Sequence, residues 1–268
     1  MKLCGFEVGN EHPFFLIAGP CVIESEKIAV ESAITLKEIA SKLKINFIYK
    51  TSFEKNNRTS VNGYSGLGFS KAMKILQKIK EEIQVPILTD VHEYTPFDEV
   101  VEVVDVLQTP AFLCRQTSFI KKVMELNMPV NIKKGQFLSP WNMKNVVEKA
   151  RSTGNDKILV CERGATFGYN DLIADMRSLE VLKETNCPVI FDAGHSVQSP
   201  GSTGCSSGGQ REFIPVLARA AIAVGIAGLF VETHPNPDVA LCDGPNMIPL
   251  SEIESLLVTL QRIDRAVK

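Results

Sequence analysis

Short apolar runs and longer amphipathic segments alternate eight times along this chain. The amphipathic segments, such as SEKIAVESAITLKEIASKLK, repeat apolar residues at intervals of three and four, which is typical of helices with one buried face. Because strand-then-helix alternation is characteristic of parallel βα units, the sequence predicts a closed (β/α)8 or TIM barrel. The predicted strands are Phe14–Ala18, Asn46–Lys50, Ile87–Asp90, Val104–Gln108, Val130–Lys133, Lys157–Cys161, Val189–Asp192 and Gly228–Glu232. A doubly wound open sheet is the alternative, but it usually has fewer strands and a Gly-rich first turn that this chain lacks.

The length and the absence of linkers favour one barrel rather than two domains. The chain has 268 residues, 44% of them hydrophobic, and no Pro-rich, Ser-rich or charged segment divides it. We expect one domain over residues 1–268, with a short N-terminal segment forming a small hairpin that closes the barrel bottom. The Gly-rich tract Ser199–Gly209 follows the seventh strand, where loops often cover a barrel site, and we expect it to act as a lid.

Composition excludes several classes of partner. A net charge of −2 gives no broad attraction to nucleic acid or to anionic lipid, so neither is expected to bind. No stretch reaches the roughly 20 apolar residues that a membrane-spanning helix needs. Seven cysteines form an odd number without a disulfide framework, which predicts reduced thiols and a cytoplasmic protein.

Cationic residues gather at the predicted ends of the second, fifth and sixth strands, although the whole chain is slightly acidic. Taken singly, each is most simply an exposed loop cation, but a barrel brings its strand ends to one face, where the set predicts a pocket for a substrate with several phosphate or carboxylate groups. Lys133 and Lys134 must point to opposite sides of their strand, and the alternation leaves open which one enters the barrel. The set comprises Lys50, Lys55, Arg58, Lys133, Lys134 and Arg163.

Four residues with metal-binding side chains also lie at strand ends. Taken alone, Cys21 is more simply a buried apolar residue, and His195 is equally a core histidine or a general base. Together with Glu232 and Asp243 they offer sulfur, nitrogen and oxygen donors. That mixture suits zinc or ferrous iron, with manganese as a further candidate, better than magnesium. No organic cofactor is expected. Asp90, His92 and Asp192 are secondary candidates for moving protons or orienting ligands, and a structural role for them is equally open.

Nearly the whole chain resembles a known enzyme family. The segments AGPCVIES, FIYKTSFEKNNRTS, NIKKGQFLSP, CERGATFGY, VIFDAGHSVQ and LFVETHPNPDVALCDGP are similar to those of the 3-deoxy-D-manno-octulosonate 8-phosphate synthases, also called 2-dehydro-3-deoxyphosphooctonate aldolases. Related 3-deoxy-D-arabino-heptulosonate 7-phosphate synthases share the barrel and the Gly-Pro-Cys start, but typically carry Lys-Pro-Arg-Thr in the second loop. This chain has Lys55, Asn57 and Arg58 there.

The resemblance implies condensation of phosphoenolpyruvate with D-arabinose 5-phosphate, in the synthesis of the sugar acid of lipopolysaccharide. It implies a homotetramer in which a neighbouring subunit completes the pentose phosphate site. Family members with cysteine at the position of Cys21 use a divalent metal, so Cys21, His195, Glu232 and Asp243 are implied as its ligands. The implied catalytic residues are Lys50, Lys55, Lys134, Arg163 and His195, and the implied substrate-binding residues are Asn57, Arg58, Thr59, Gln136 and Phe112.

This chain departs from the family pattern at three positions. Gly194 precedes His195 where metal-using relatives commonly have threonine, Thr59 replaces the usual serine, and Cys242 in the CDGP segment is a competing metal ligand. Three alternative functions stay open. They are a heptulosonate synthase that uses erythrose 4-phosphate, a non-catalytic sugar-phosphate binding protein, and an aldolase that forms an imine at Lys50 or Lys134.

Overall fold

Eight parallel strands form a closed barrel in the computed structural model, which describes residues 1–202 and 207–268. Each strand pairs with the next in chain order, and the eighth pairs with both the seventh and the first, which closes the barrel. The predicted TIM barrel is therefore confirmed, with strand limits within two residues of those expected from the apolar runs. The strands are β1 Phe15–Gly19, β2 Phe47–Lys50, β3 Ile87–Asp90, β4 Val106–Thr109, β5 Val130–Lys133, β6 Ile158–Glu162, β7 Val189–Asp192 and β8 Gly228–His234.

A helix follows each strand and packs on the outside of the barrel. The first begins after Ser25, whose hydroxyl accepts a hydrogen bond from the Ile28 amide at 3.2 Å. It is followed by Lys44, which adopts a left-handed conformation and ends the helix. Its apolar face, including Ala33 and Leu36, is buried. The helices are α1 Glu26–Leu43, α2 Phe69–Lys78, α3 Phe97–Val103, α4 Thr117–Met124, α5 Met143–Arg151, α6 Arg177–Lys183, α7 Ile214–Val224 and α8 Ile253–Val267.

The N-terminal residues close the lower end of the barrel, as the sequence predicts. Lys2–Leu3 pairs antiparallel with Phe6–Glu7, and Leu3 and Val8 pack among the apolar side chains inside the barrel. The ring of Phe6 lies 5.7 Å from that of Phe15 on β1. The barrel bottom is therefore sealed by apolar contacts.

The barrel interior changes from apolar to charged at its upper end. Because side chains alternate along a strand, the residue two positions after an inward apolar residue also points inward. That second residue is polar or charged on five strands. The successive inward pairs are Ile48 and Lys50, Leu88 and Asp90, Val106 and Gln108, Ile190 and Asp192, and Phe230 and Glu232. The carboxyl ends of the strands thus carry a buried ionic layer above a dry core.

The Gly-rich tract after β7 begins and ends as an antiparallel pair. Gln198–Ser199 pairs with Gly208–Gly209, and Pro200, Gly201 and Ser207 between them line the cavity at the carboxyl ends of the strands. Residues 203–206, the centre of the predicted lid, lie outside the described residues. The lid stays a prediction.

The sequence predicts that the chain has no membrane-spanning helix and that its cysteines are reduced. Among the described helices, none is both long and apolar enough to cross a bilayer. The six cysteines in the described ranges are free thiols.

Candidate active site

A cavity of about 810 Å³ opens at the carboxyl ends of the barrel strands. It is the position at which a barrel enzyme builds its active site. Of the sequence-predicted site residues, Cys21, Lys134 and Glu232 lie outside its lining and are almost completely buried. The other ten line the cavity: Lys50, Lys55, Asn57, Arg58, Thr59, Phe112, Gln136, Arg163, His195 and Asp243.

Lys50 anchors the ionic layer at the cavity floor. Its ammonium donates to Glu232 Oε1 at 2.6 Å and to the Cys21 carbonyl at 3.2 Å, and it lies 3.6 Å from Asp90 Oδ2. Burial alone would lower the pKa of Lys50, but the charge of Glu232, supported by Asp90, outweighs it and raises the pKa. Lys50 is therefore a charged group at neutral pH. This argues against the imine alternative at this residue, which requires a free amine.

Glu232 presents one oxygen to Lys50 and leaves the other free. Burial alone would raise its pKa, but Lys50, His195 and Lys55 outweigh that effect and lower the pKa to about 2. Glu232 Oε2 is buried without a hydrogen-bond partner among the described residues, and it lies 3.9 Å from His195 Nε2. Asp243 Oδ2 lies 3.9 Å from the same nitrogen. These three atoms can each donate an electron pair to a metal ion, and all lie within 4.8 Å of one another. We call such a group of three potential metal ligands a donor triad.

A second group of donors shares Asp243. The Cys21 thiol donates to Asp243 Oδ2 at 3.3 Å, and the Cys242 thiol lies 3.7 Å from the same oxygen. The donor atoms of these three residues also lie within 4.8 Å of one another. The four predicted ligands and Cys242 thus form two triads that share Asp243. Burial is the main cause that raises the pKa of the Cys21 thiol well above its ordinary value.

His195 is oriented by Asp192, which lies beneath it. The Asp192 carboxylate accepts the His195 backbone amide at 2.9 Å and lies 2.7 Å from His195 Nδ1. This contact leaves Nε2 facing the carboxylates of Glu232 and Asp243. Carboxylates behind metal-binding histidines orient the ring in the same way. Gly194 is explained by space: a Cβ there would lie 2.6 Å from the Asn246 carbonyl oxygen.

The structure answers which of the adjacent lysines enters the barrel. Lys133 points inward, pairs with Asp192 and lies 3.7 Å from the centre of the Phe230 ring. Lys134 is 1% exposed, and its ammonium lies 3.3 Å from Glu162 Oε1. It also donates to the backbone carbonyls of residues 135, 138 and 164. Lys133, and not the predicted Lys134, lines the cavity.

The secondary candidates Asp90 and His92 have separate environments. Asp90 Oδ1 accepts from Gln108 Nε2 at 2.6 Å. Burial would raise its pKa, but Lys50 and Lys55 hold it well below the usual range. His92 lies 3.3 Å from the Glu54 carbonyl, and burial lowers its pKa. Neither residue belongs to the donor triads.

Arg163 is a buried cation on the cavity wall, directly after β6. Its Nη2 donates to Gln198 Oε1 at 2.8 Å, while its Nη1 is buried without a partner in the part of the chain that the structure describes. Gln198 Nε2 in turn donates to Asp243 Oδ1 at 3.2 Å. Sequence reasoning missed Gln198. The available signal was its position three residues after His195, on the same strand-end segment.

The remaining predicted residues lie towards the cavity mouth. Asn57, Arg58 and Thr59 are exposed, and the Arg58 guanidinium donates to the carbonyls of residues 61 and 63 at 3.0 and 2.6 Å. Phe112 is 55% exposed. Gln136 has a buried Oε1 without a partner among the described residues. Among these residues, Gln136 Oε1 is thus an acceptor that no described residue uses.

Comparison with known proteins agrees with this geometry. The family model described as the DAHP synthetase I family matches residues 4–268. The chain is 63% identical over 268 residues to 2-dehydro-3-deoxyphosphooctonate aldolases of Thioalkalivibrio sulfidiphilus and Stenotrophomonas maltophilia, covering all of this chain and 96% and 97% of those proteins. It is 65% identical to the protein of the same name from Xylella fastidiosa, again over all of this chain and 97% of the relative. The resemblance noted in the sequence is confirmed, and the chain belongs to the DAHP synthetase I family.

Proposed function

We propose that this chain condenses phosphoenolpyruvate with D-arabinose 5-phosphate and water, giving 3-deoxy-D-manno-octulosonate 8-phosphate and inorganic phosphate. The observation that carries the proposal is the buried guanidinium of Arg163, whose Nη1 has no partner among the described residues. It lies on the wall of a cavity that is also lined by Lys50, Lys55 and Lys133. A buried unpaired donor on a cation is unfavourable unless an anion binds it. The names of the relatives agree with this reaction.

The proposed anion site for phosphoenolpyruvate uses Lys50, Lys55 and Arg163 directly. Lys134 acts from behind the wall, because its partner Glu162 accepts the backbone amides of Arg163 and Gly164 at 2.9 and 2.8 Å. Lys134 thus fixes the turn that presents Arg163. Gln136 also lines the cavity, and its Oε1, which has no partner in the described part of the chain, is available to a substrate hydroxyl or a water.

The donor triads fit a divalent metal such as zinc or ferrous iron, with manganese as a further candidate. Glu232 Oε2 is a buried acceptor without a partner among the described residues, and it lies near His195 Nε2, which in turn lies near Asp243 Oδ2. The sulfur of Cys21 lies next to Asp243 Oδ2 and is a further metal ligand atom. We propose Cys21, His195, Glu232 and Asp243 as the ligands. When bound, the ion would supply Lewis acidity, either towards a substrate oxygen or towards a water.

The proposed reaction requires cationic side chains in fixed positions opposite the carboxylate and phosphate of the substrate. In the proposed sequence, C3 of the enol attacks the pentose aldehyde and water adds at C2, and the resulting tetrahedral intermediate expels phosphate. Arg163 and Lys55 hold the carboxylate and phosphate, and the buried ionic layer fixes Lys50 in a single position. Catalysis by this chain is therefore mainly positioning and electrostatic preorganisation.

The proposed pentose phosphate site lies at the exposed rim. Asn57, Arg58 and Thr59 would bind the phosphate, and Phe112 would contact the sugar. The chain also exposes the aromatic residues Phe137, Trp141 and Phe167, each by more than half. Exposed aromatic side chains favour an interface with further copies of the chain, and we propose a homotetramer whose neighbour completes this site.

The proposed cellular role is in the lipopolysaccharide pathway, in the cytoplasm, with the whole chain acting as one domain. Neither a nucleic acid nor a membrane is a proposed partner.

The acceptor preference tests the proposed function. Purified protein is mixed with phosphoenolpyruvate and either D-arabinose 5-phosphate or erythrose 4-phosphate, and phosphate release is measured. We expect steady release with arabinose 5-phosphate and much less with erythrose 4-phosphate. A preference for erythrose 4-phosphate would instead indicate a heptulosonate synthase. Tight binding of both substrates without phosphate release would indicate a binding protein.

A further inference from the structure

One side-chain amide joins the anion-binding wall to the donor triads. Gln198 Oε1 accepts from Arg163 Nη2 at 2.8 Å, and Gln198 Nε2 donates to Asp243 Oδ1 at 3.2 Å. A guanidinium can only donate hydrogen bonds and a carboxylate can only accept them. Only one orientation of the amide therefore satisfies both neighbours. A flipped amide would place hydrogen against hydrogen at Arg163 and oxygen against oxygen at Asp243.

The contact from Gln198 determines which oxygen of Asp243 faces the donors. Oδ1 is engaged by the amide, so Oδ2 is the atom that faces the Cys21 thiol at 3.3 Å and His195 Nε2 at 3.9 Å. Asp243 itself has a left-handed backbone with φ of 50°. Aspartate adopts this conformation more readily than most residues do. The amide contact holds its carboxylate in the orientation that results.

The backbone of Gln198 is also held in place. Its amide donates to the His195 carbonyl, and the residue pairs with Gly209 across the antiparallel ladder. A Cβ at Gly209 would lie 1.9 Å from Asn246 Oδ1, so this ladder packs closely on the segment that follows Asp243. Gln198 is therefore fixed on both sides, and a change at Arg163 reaches Asp243 through a short, rigid connection.

We propose that Gln198 is a positioning residue that couples anion binding at Arg163 to metal binding at Asp243. The inference rests on the proposed function, since it takes phosphoenolpyruvate as the anion and a divalent ion as the second ligand. An anion on Nη1 holds the guanidinium in the position that orients the amide, and the oriented amide turns Asp243 Oδ2 towards the other donors. By thermodynamic linkage the effect is mutual, so each ligand raises the affinity for the other.

The test measures Mn²⁺ affinity by calorimetry with and without phosphoenolpyruvate. The ratio of the two dissociation constants is compared in wild type, Gln198→Met and Gln210→Ala. Gln210 is an exposed glutamine next to the same ladder and serves as the matched control. Gln198→Met keeps a similar length without the amide, and Gln198→Ala replaces it if the methionine variant does not fold.

We expect phosphoenolpyruvate to tighten Mn²⁺ binding in wild type and in Gln210→Ala. In Gln198→Met the ratio should fall by about threefold or more, the range expected for losing one hydrogen bond. A general loosening of the fold would weaken the binding of both ligands and leave the ratio of dissociation constants unchanged. An unchanged ratio in Gln198→Met would therefore overturn the inference. No effect of phosphoenolpyruvate on Mn²⁺ in wild type would overturn it as well. Failure of wild type to bind phosphoenolpyruvate at all would instead refute the proposed function.

Discussion

Replacing Lys50 by methionine tests the buried ionic layer at the cavity floor. The change removes a cation 2.6 Å from Glu232 Oε1 and 3.6 Å from Asp90 Oδ2, where Lys50 and Glu232 are each 1% exposed. Breaking such a buried pair from one side typically destabilises a protein by about 3–5 kcal/mol, because the other charge remains buried and unpaired. We expect K50M to lower the free energy of unfolding by that amount in metal-free protein.

Two comparisons separate this effect from general damage. Lys42 and Glu254 form an ion pair at a similar distance of 2.5 Å on the surface, with side chains 67% and 38% exposed. Lys42→Met should change stability by only about 0–1 kcal/mol. The double variant K50M/E232M removes both charges of the buried pair and should recover most of the loss, since well-packed apolar replacements of buried pairs are often close to neutral.

The assay is urea unfolding followed by far-ultraviolet circular dichroism, at one protein concentration and with a chelator present. Repeating it with saturating Mn²⁺ should recover part of the K50M loss, because a cation at the donor triad would compensate Glu232. A K50M loss no larger than that of Lys42→Met would refute the claim that this layer is held together by mutual neutralisation.

Three further substitutions each test one contact. Arg163→Met should lower kcat/KM about 10²–10³-fold in steady-state kinetics, as the loss of a preorganised charge contact does. An equal effect of Arg177→Met, at an arginine that is 89% exposed, would contradict this prediction. Gly194→Ala should destabilise the fold by about 1–3 kcal/mol through overpacking against the Asn246 carbonyl; an unchanged urea midpoint would show that the segment yields. Because nearby lysines outweigh burial and depress the pKa of Asp90, its contribution to stability is complete above about pH 4 and is lost as the pH falls further. The urea midpoint should therefore drop less on acidification in Asp90→Asn than in wild type, and identical slopes would contradict the assignment.

The barrel could be predicted from the sequence because each strand is a short, mainly apolar run whose residues are all buried. The limits of β3, β5 and β7 agree with the prediction at both ends, since Asp90, Lys133 and Asp192 mark the change from dry core to ionic layer. The cavity lining followed from the same rule, because parallel strands end on one face.

The contacts within the site could not be predicted from the sequence. Alternation predicts that Lys133 and Lys134 point in opposite directions, but it does not say which face of the strand is the inner one. The contacts of Lys133 with Asp192 and Phe230 identify it as the inward residue. The sequence predicted Asp243 as a metal ligand from its position after a strand end. It did not reveal that Asp243 belongs to both donor triads. Gln198 was missed because an uncharged amide gives no chemical signal until its two partners are known.

The most direct test of the central claim is phosphate release from phosphoenolpyruvate and D-arabinose 5-phosphate by the protein as purified, after chelation, and after divalent ions are restored. We expect wild type to lose release on chelation and to regain it with an added ion, whereas Cys21→Ala should regain much less. Release that resists chelation would contradict the proposed metal site, and no release under any condition would contradict the proposed reaction.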